Sequence, residues 1–207
     1  MSYSLEEIKE DIVNVDVKQF YMKHIVRSEN WYFENILDVP SQSLVKAVDD
    51  FKIIVSDALG VSYNSVMMVG SGKTGYSLSP SKKLKEFTIE PTAENKSDID
   101  IAIISTTIFD RFWKCFREAY DVTNKRNYTH ISRGIYRGYI NDSNINKIDK
   151  CRIQWQDISN EATRRLKQTM YFKHDISYRL YRSWEDFEEY NLESLHELKT
   201  EVAHNAE

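Results

Sequence analysis

Two carboxylates lie two residues apart in Ser97-Asp98-Ile99-Asp100-Ile101, at the head of a run that becomes fully apolar through Ile104. In an extended strand residues i and i+2 share a face, so Asp98 and Asp100 point the same way, about 6–7 Å apart. Like charges so placed repel unless a cation sits between them. Mg²⁺ is held through one or two carboxylates, with substrate phosphates and water completing its shell, so the pair is a candidate divalent-metal site. Three other clusters look chemical and fall short. Gly70-Ser71-Gly72-Lys73-Thr74 matches the end of a phosphate-cradling G-x-x-x-x-G-K-[ST] loop, but the first glycine would fall at position 67, which is Met67. His196-Glu197 begins an H-E-x-x-H helix motif whose second histidine is Thr200, and His24, His130, His174 and His204 show no ligand spacing. Gly-Ser-Gly at 70–72 also lacks the spacing of a G-x-S-x-G nucleophile elbow.

The elements that must position these residues are readable in outline. Residues 4–27 read as one or two helices: Ser4 can cap, Glu7 sits three residues on, and Ile8, Ile12 and Val15 recur at helical spacing. Residues 28–40 are aromatic and irregular. Ser41 opens a helix carrying Leu44, Phe51, Ile54, Val55 and Leu59 on one side, stopped by Gly60. Residues 65–70 read as a short buried strand ending in glycine, and 72–97 as a turn-rich stretch with no clear element. Residues 98–105 form a strand, polar on one face at its start and buried on both later. A helix follows over 107–120. Residues 128–160 are ambiguous between short helices and strands, and 175–182 alternate as a strand. Ser183 with Asp186 caps a final helix bearing Phe187, Leu192, Leu195, Leu198 and Val202. This order predicts an α/β (α+β) fold. The expected layout is one domain over 1–207, with an N-terminal helical extension (1–40), a core (41–182) and a C-terminal helix (183–207).

Composition bounds the function. The 207 residues are 41% hydrophobic and 13% aromatic, enough for a core, which excludes wholesale disorder. No apolar run approaches the roughly 18–20 residues of a membrane helix, so no membrane partner is expected. The start, Met1 to Glu7, is acidic and lacks an apolar h-region, so no secretory signal is expected. Cys115 and Cys151 form no C-x-x-C pair and no disulfide framework is expected, which makes a reduced, cytoplasmic location the default. The net charge of −4 hides an asymmetry. Between Arg111 and Arg182 stand 16 lysines and arginines against 7 acidic residues, while the rest of the chain holds 12 against 25. A basic middle suits a phosphate-bearing partner. The plainer alternative is that these cations lie on solvated helix faces and pair with the acidic segments.

Taken together, Val69-Gly70-Ser71 at the end of one strand and the later Ser-Asp-Ile-Asp-Ile-Ala-Ile-Ile-Ser strand resemble the nucleotidyltransferase superfamily of DNA polymerase β type. The combination with Gly-Lys-Thr-Gly-Tyr-Ser-Leu-Ser-Pro and Phe109-Asp110-Arg111-Phe112-Trp113 is similar to a group of small bacterial proteins of that kind. The resemblance covers about residues 60–120 and implies a nucleotidyltransferase-like mixed sheet flanked by helices. It implies that the turn at Gly70 and Ser71 holds an NTP's triphosphate, with the Gly72 amide helping and Lys73 neutralising phosphate charge. It implies that Asp98 and Asp100 hold Mg²⁺ or Mn²⁺. Active members often carry a third carboxylate on a later strand; Asp149 is the best candidate by position, ahead of Asp157 and Asp175. In the family the turn and the first aspartate are usually closer; here 26 residues, 72–97, intervene. That insert, centred on Ser79 to Lys85, reads as a loop that closes over the nucleotide or holds its phosphates.

The implied activity is transfer of an NMP from an NTP to an unidentified hydroxyl on RNA, protein or a small molecule, in a setting such as a toxin–antitoxin system or phage defence. Arg164-Arg165-Leu166-Lys167 with Tyr171 and Phe172 could hold RNA or tRNA by phosphate contact and stacking, or simply pack a helix on the core. The alternative function is a catalytically inactive module that binds a nucleotide or a protein partner, with Trp31-Tyr32-Phe33 and the final helix as partner surfaces. A third reading is a P-loop NTPase, which would release phosphate rather than pyrophosphate and depend on Lys73 and Thr74.

Overall fold

The two segments that read as strands around the Gly-Ser turn and the aspartates lie side by side. In the computed structural model, which describes residues 2–90, 92 and 94–204, Val66–Val69 forms β1 and Ile99–Ile104 forms β2. Residues 205–207 of the expected C-terminal helix segment lie outside the described residues. β1 and β2 are antiparallel, with Val69 opposite Asp100. Tyr139–Asn141 (β3) and Ile176–Tyr181 (β4) complete one open sheet of order β1-β2-β4-β3. β4 runs parallel to β2 and antiparallel to β3. The expected mixed sheet is therefore present. Around it lie α1 (Leu5–Asn14), α2 (Val17–Tyr21), α3 (Trp31–Asn35), α4 (Leu44–Leu59), α5 (Gly70–Thr74), α6 (Thr106–Glu118), α7 (Lys125–Tyr136), α8 (Asp142–Ile145), α9 (Asp149–Thr169) and α10 (Trp184–His204).

Side-chain alternation divides the molecule into two cores. Ile99, Ile101 and Ile103 of β2 share a face with Val66, Met68, Tyr178 and Leu180, and this face packs against α3, α4, α6 and α9. Met67, Ala102, Ile104 and Tyr181 face the other way, into a second core built from α1, α2 and α10. Burying the large side chains of both cores stabilises by roughly 1.5–3 kcal/mol each relative to exposure. The helix ends follow the sequence. Ser4 and Glu7 form a reciprocal capping box, Gly60 takes the left-handed conformation after α4, and the Ser183 hydroxyl accepts the Asp186 amide at the start of α10.

Some open readings are resolved here and others are corrected. The 128–160 stretch resolves into α7, β3, α8 and the start of the 21-residue α9. The aromatic 28–40 segment contains α3, and Tyr32 and Phe33 are fully buried, so they serve the core and cannot form a partner surface. The Arg164–Lys167 stretch lies on α9, whose Ala162 and Leu166 are buried against the core. Arg164 there pairs with Glu161, Arg165 approaches Asp57 and Lys167 approaches Asp175. The spacing of the cysteines suggests no framework, yet α6 and α9 bring their Cα atoms to 5.9 Å and a disulfide joins Cys115 to Cys151. Among the described residues no helix is long and apolar enough to cross a membrane. The crosslink spans 36 residues, so adding dithiothreitol should lower unfolding stability by about 2–4 kcal/mol in urea titrations. An unchanged midpoint would show that the two sulfurs are not bonded in the folded protein.

Candidate active site

Asp100 is the centre of the site. The alternation of β2 turns it, with Ala102 and Ile104, toward the layer built from the two ends of the chain. The antiparallel register sets it opposite Val69, immediately before the Gly-Ser turn. Gly70 there has φ +66°, and a Cβ at this position would collide with the Asp100 carboxylate, whose Cγ would lie at 3.2 Å. The glycine is thus required twice, by the backbone conformation and by the carboxylate lodged over it. On the other side, the parallel register sets Ser177 beside Asp100, and the Ser177 hydroxyl donates to Asp100 Oδ1 at 2.8 Å. Burial raises the Asp100 carboxyl above the usual range; the neighbouring charge of Asp98 adds to this, and the Ser177 hydrogen bond opposes it.

A cleft of about 320 Å³ opens over these groups. The turn supplies Gly70 and Ser71, the head of β2 supplies Asp98 and Asp100, and β4 supplies Arg179 and Tyr181. The insert contributes Ser77, Leu78, Ser79 and Lys82, and α10 contributes Tyr190, Asn191, Ser194 and Leu195. The insert doubles back on itself: the Ser77 amide donates to the Lys85 carbonyl and the Phe87 amide to the Gly75 carbonyl, both at 2.8 Å. Buried Leu84 and Phe87 anchor it, and Lys83 reaches Glu201 of α10 at 3.8 Å. Its turn is therefore fixed at the rim of the cleft.

Arg179 occupies the same face of β4, two residues beyond Ser177. Its Nε donates to Asn141 Oδ1 at 2.7 Å. Its guanidinium lies 4.7 Å from the Tyr190 ring centre and 5.3 Å from that of Tyr139. Asp142, next in sequence to Asn141, accepts the Tyr178 amide at 3.0 Å. Burial raises its carboxyl to about 6 despite amide hydrogen bonds from Tyr178 and Ser143, and Asp98 and Asp100 add to the rise.

The structure brings Gly70, Ser71, Asp98 and Asp100 together as expected and leaves the other candidates outside the cleft. Gly72 is buried against Ile99. Lys73 is buried and donates to the backbone carbonyls of Arg27 and Glu29, and burial pushes its amine down to about 8. Thr74 turns back to the Tyr76 carbonyl at 2.6 Å. The Gly-Lys-Thr triplet therefore braces the turn instead of cradling phosphate. Asp149 sits exposed at the start of α9, paired with Arg152 at 2.7 Å, because its helix belongs to the opposite face of the sheet. Asp175 pairs with Lys96. β4 itself, Ile176–Tyr181, carries no carboxylate.

Sequence reasoning missed Arg179, Ser177, Asn191 and Ser194. The signal for the β4 pair was its i, i+2 spacing in a strand that, by parallel pairing, continues the face of Asp98 and Asp100. Lys82 lies in the insert that the sequence marked as polar.

No family model, curated protein or solved structure matches this chain. What the cleft can bind therefore follows from its own side chains. Among the described residues no three histidine, cysteine or acidic side chains gather to hold an ion. Two carboxylates suffice only for a hard cation that draws its remaining oxygens from water and a phosphate ligand, which is the habit of Mg²⁺. The donor set fits that ion together with a phosphate ester.

Two outcomes follow. Gly70→Ala should destabilise by about 2–3 kcal/mol, and by only the left-handed backbone cost of about 1–2 kcal/mol when Asp100 is also Ala; equal costs in both backgrounds, measured by urea unfolding, would remove Asp100 as the reason for the glycine. Asp142 holds its proton more tightly folded than unfolded, so its ionisation costs stability as pH rises from about 4 to about 6. Asp142→Asn, which can still accept the Tyr178 amide, should stabilise by about 1–2 kcal/mol at pH 7.5 and be neutral near pH 4. A variant destabilised at both pH values would refute this.

Proposed function

We propose that this chain is a metal-dependent nucleotidyltransferase that moves an NMP from an NTP to a hydroxyl acceptor. The observation that carries the reading is the convergence of Gly70, Ser71, Asp98 and Asp100 on one cleft, with Asp100 fitted over the glycine. This arrangement supports the resemblance to the DNA polymerase β type superfamily. Asp98 and Asp100 would hold Mg²⁺ or Mn²⁺, which when bound lowers the barrier by neutralising phosphate charge and acidifying the acceptor hydroxyl. Ser71 and the turn's backbone would position the triphosphate, with Lys82 taking the phosphate-neutralising part first assigned to Lys73. The acceptor oxygen attacks the α-phosphorus, the α–β bridging P–O bond breaks, pyrophosphate leaves and the hydroxyl proton passes to water. Such transfers are mostly positioning and electrostatics, so few groups are needed. Ser77, Ser79, Asn191 and Ser194 add neutral hydrogen-bonding groups to the walls.

The acceptor class stays open between RNA, protein and small molecule. Much of the basic middle is paired internally, through Arg137–Glu193, Lys150–Glu118 and Arg182–Asp186 among others, which weakens the case for RNA. A cytoplasmic setting, with its NTP supply, goes with this reading, although a structural disulfide such as Cys115–Cys151 is rare there.

A second reading, a nucleotide-binding module without turnover, is favoured by one observation. Ser177 stands beside Asp100 where the neighbouring strand could offer a carboxylate, and β4 has none. Pyrophosphate release from each of the four NTPs with Mg²⁺ or Mn²⁺ and total RNA separates the two. The expected result is release from one or more NTPs that falls at least about a hundredfold in Asp98→Ala/Asp100→Ala, the scale of losing an electrostatic stabiliser. A metal-dependent rise in melting temperature with NTP, without pyrophosphate, would select the binding module.

A further inference from the structure

We propose that Arg179, with Lys82, makes metal binding by Asp98 and Asp100 conditional on a bound polyphosphate chain. This deepens the nucleotidyl-transfer reading and rests on it. Arg179 is half-buried on the cleft face of β4, against the rings of Tyr139 and Tyr190, which pack on each other. Among the described residues its hydrogen bonds go to the Asn141 side-chain oxygen and, at 3.5 Å, to the Tyr181 hydroxyl. Both partners are neutral. Half-buried and, among the described residues, with no carboxylate in contact, this guanidinium feels Asp100 only at a distance, so an arriving anion would find its charge incompletely compensated. Two of its five N–H donors are engaged, and the planar fork that remains suits phosphate oxygens.

The two packed rings and the Asn141 bond hold this charge in place, and it also acts on Asp100. Among the described residues the charged side chains lining the cleft are Asp98, Asp100, Lys82 and Arg179, two of each sign. A dication entering alone meets carboxylates whose attraction is offset by two fixed or nearby cations. A polyphosphate neutralises both cations and brings the oxygens that a metal on two carboxylates lacks. Metal and polyphosphate therefore assist each other, and the assistance is reciprocal in free energy.

The test uses the whole protein, with Mn²⁺ alone followed by electron paramagnetic resonance and Mg²⁺–tripolyphosphate followed by titration calorimetry. Arg179→Gln should bind Mn²⁺ alone about tenfold more tightly and Mg²⁺–tripolyphosphate about tenfold more weakly, the usual scale of coupling between sites. Shifts of opposite sign are the signature. Two losses in parallel would show that Arg179 only braces α10, and two unchanged affinities would likewise overturn the proposal. If Arg179→Gln does not fold, exposed Lys82 decides: Lys82→Gln should give the same opposed pair of shifts, each about threefold, and unchanged affinities would overturn it. Asp98→Asn/Asp100→Asn separates the layers. If that variant keeps both ligands, the site assignment itself falls; if it loses Mn²⁺ while Arg179→Gln shifts nothing, only the conditional arrangement falls.

Discussion

The seat of the Asp100 carboxylate over Gly70 is the constraint on which the rest of the site depends. It requires a residue without a side chain, in the left-handed region, at the first step out of β1. It requires β1 and β2 to pair antiparallel in the one register that sets Val69 beside Asp100. It requires the short helix after the turn to be held, which buried Lys73 does by donating to two backbone carbonyls of the distant segment that leads into α3. A strand register has little freedom here, because a slip by one residue would turn Asp100 into the apolar core and Ile99 or Ile101 into the cleft. Hydrophobic burial on one face thus fixes the position of the charge on the other.

The same alternation explains why the chemistry faces the ends of the chain. β2 gives its isoleucines to the core formed by α4, α6 and α9, and its Asp100, Ala102 and Ile104 to the layer of α1, α2 and α10. The second layer is apolar away from the turn and polar beside it, so the cleft lies where helix packing gives way to the strand heads. Asp100 and Arg179, both half-buried at this boundary, carry opposite charges, and each partly offsets the cost of placing the other there.

What the sequence makes legible is local. The i, i+2 spacing of the aspartates, the glycine closing a short strand, the capping residues Ser4 and Ser183 and the apolar face of α4 each depend on near neighbours, and each reads correctly. What escapes depends on strand partners far along the chain. Ser177 and Arg179 matter because β4 pairs with β2, which spacing along β4 alone does not reveal. Lys73 reads as a phosphate ligand from its neighbours, yet the turn aims it inward at the backbone near Arg27. Asp149 is placed by the helix it begins, and that helix belongs to the other face. Trp31-Tyr32-Phe33 looks like a surface because aromatics without periodicity resemble an irregular loop, whereas Tyr32 closes the core and accepts an amide from Lys173. Two cysteines 36 residues apart meet only because two helices cross.

The far wall of the cleft belongs to α10, which emerges from the ribosome after every other element described. Until that helix docks, Met67, Ala102, Ile104 and Tyr181 form an incompletely covered apolar sheet face, the kind of surface that draws chaperones or strays into aggregation. Tyr190, one of the two rings packed beside Arg179, arrives with the same helix. Covering the nascent core and closing the cleft are therefore a single late event in the life of the chain, so that an unfinished molecule also lacks a wall of its cleft.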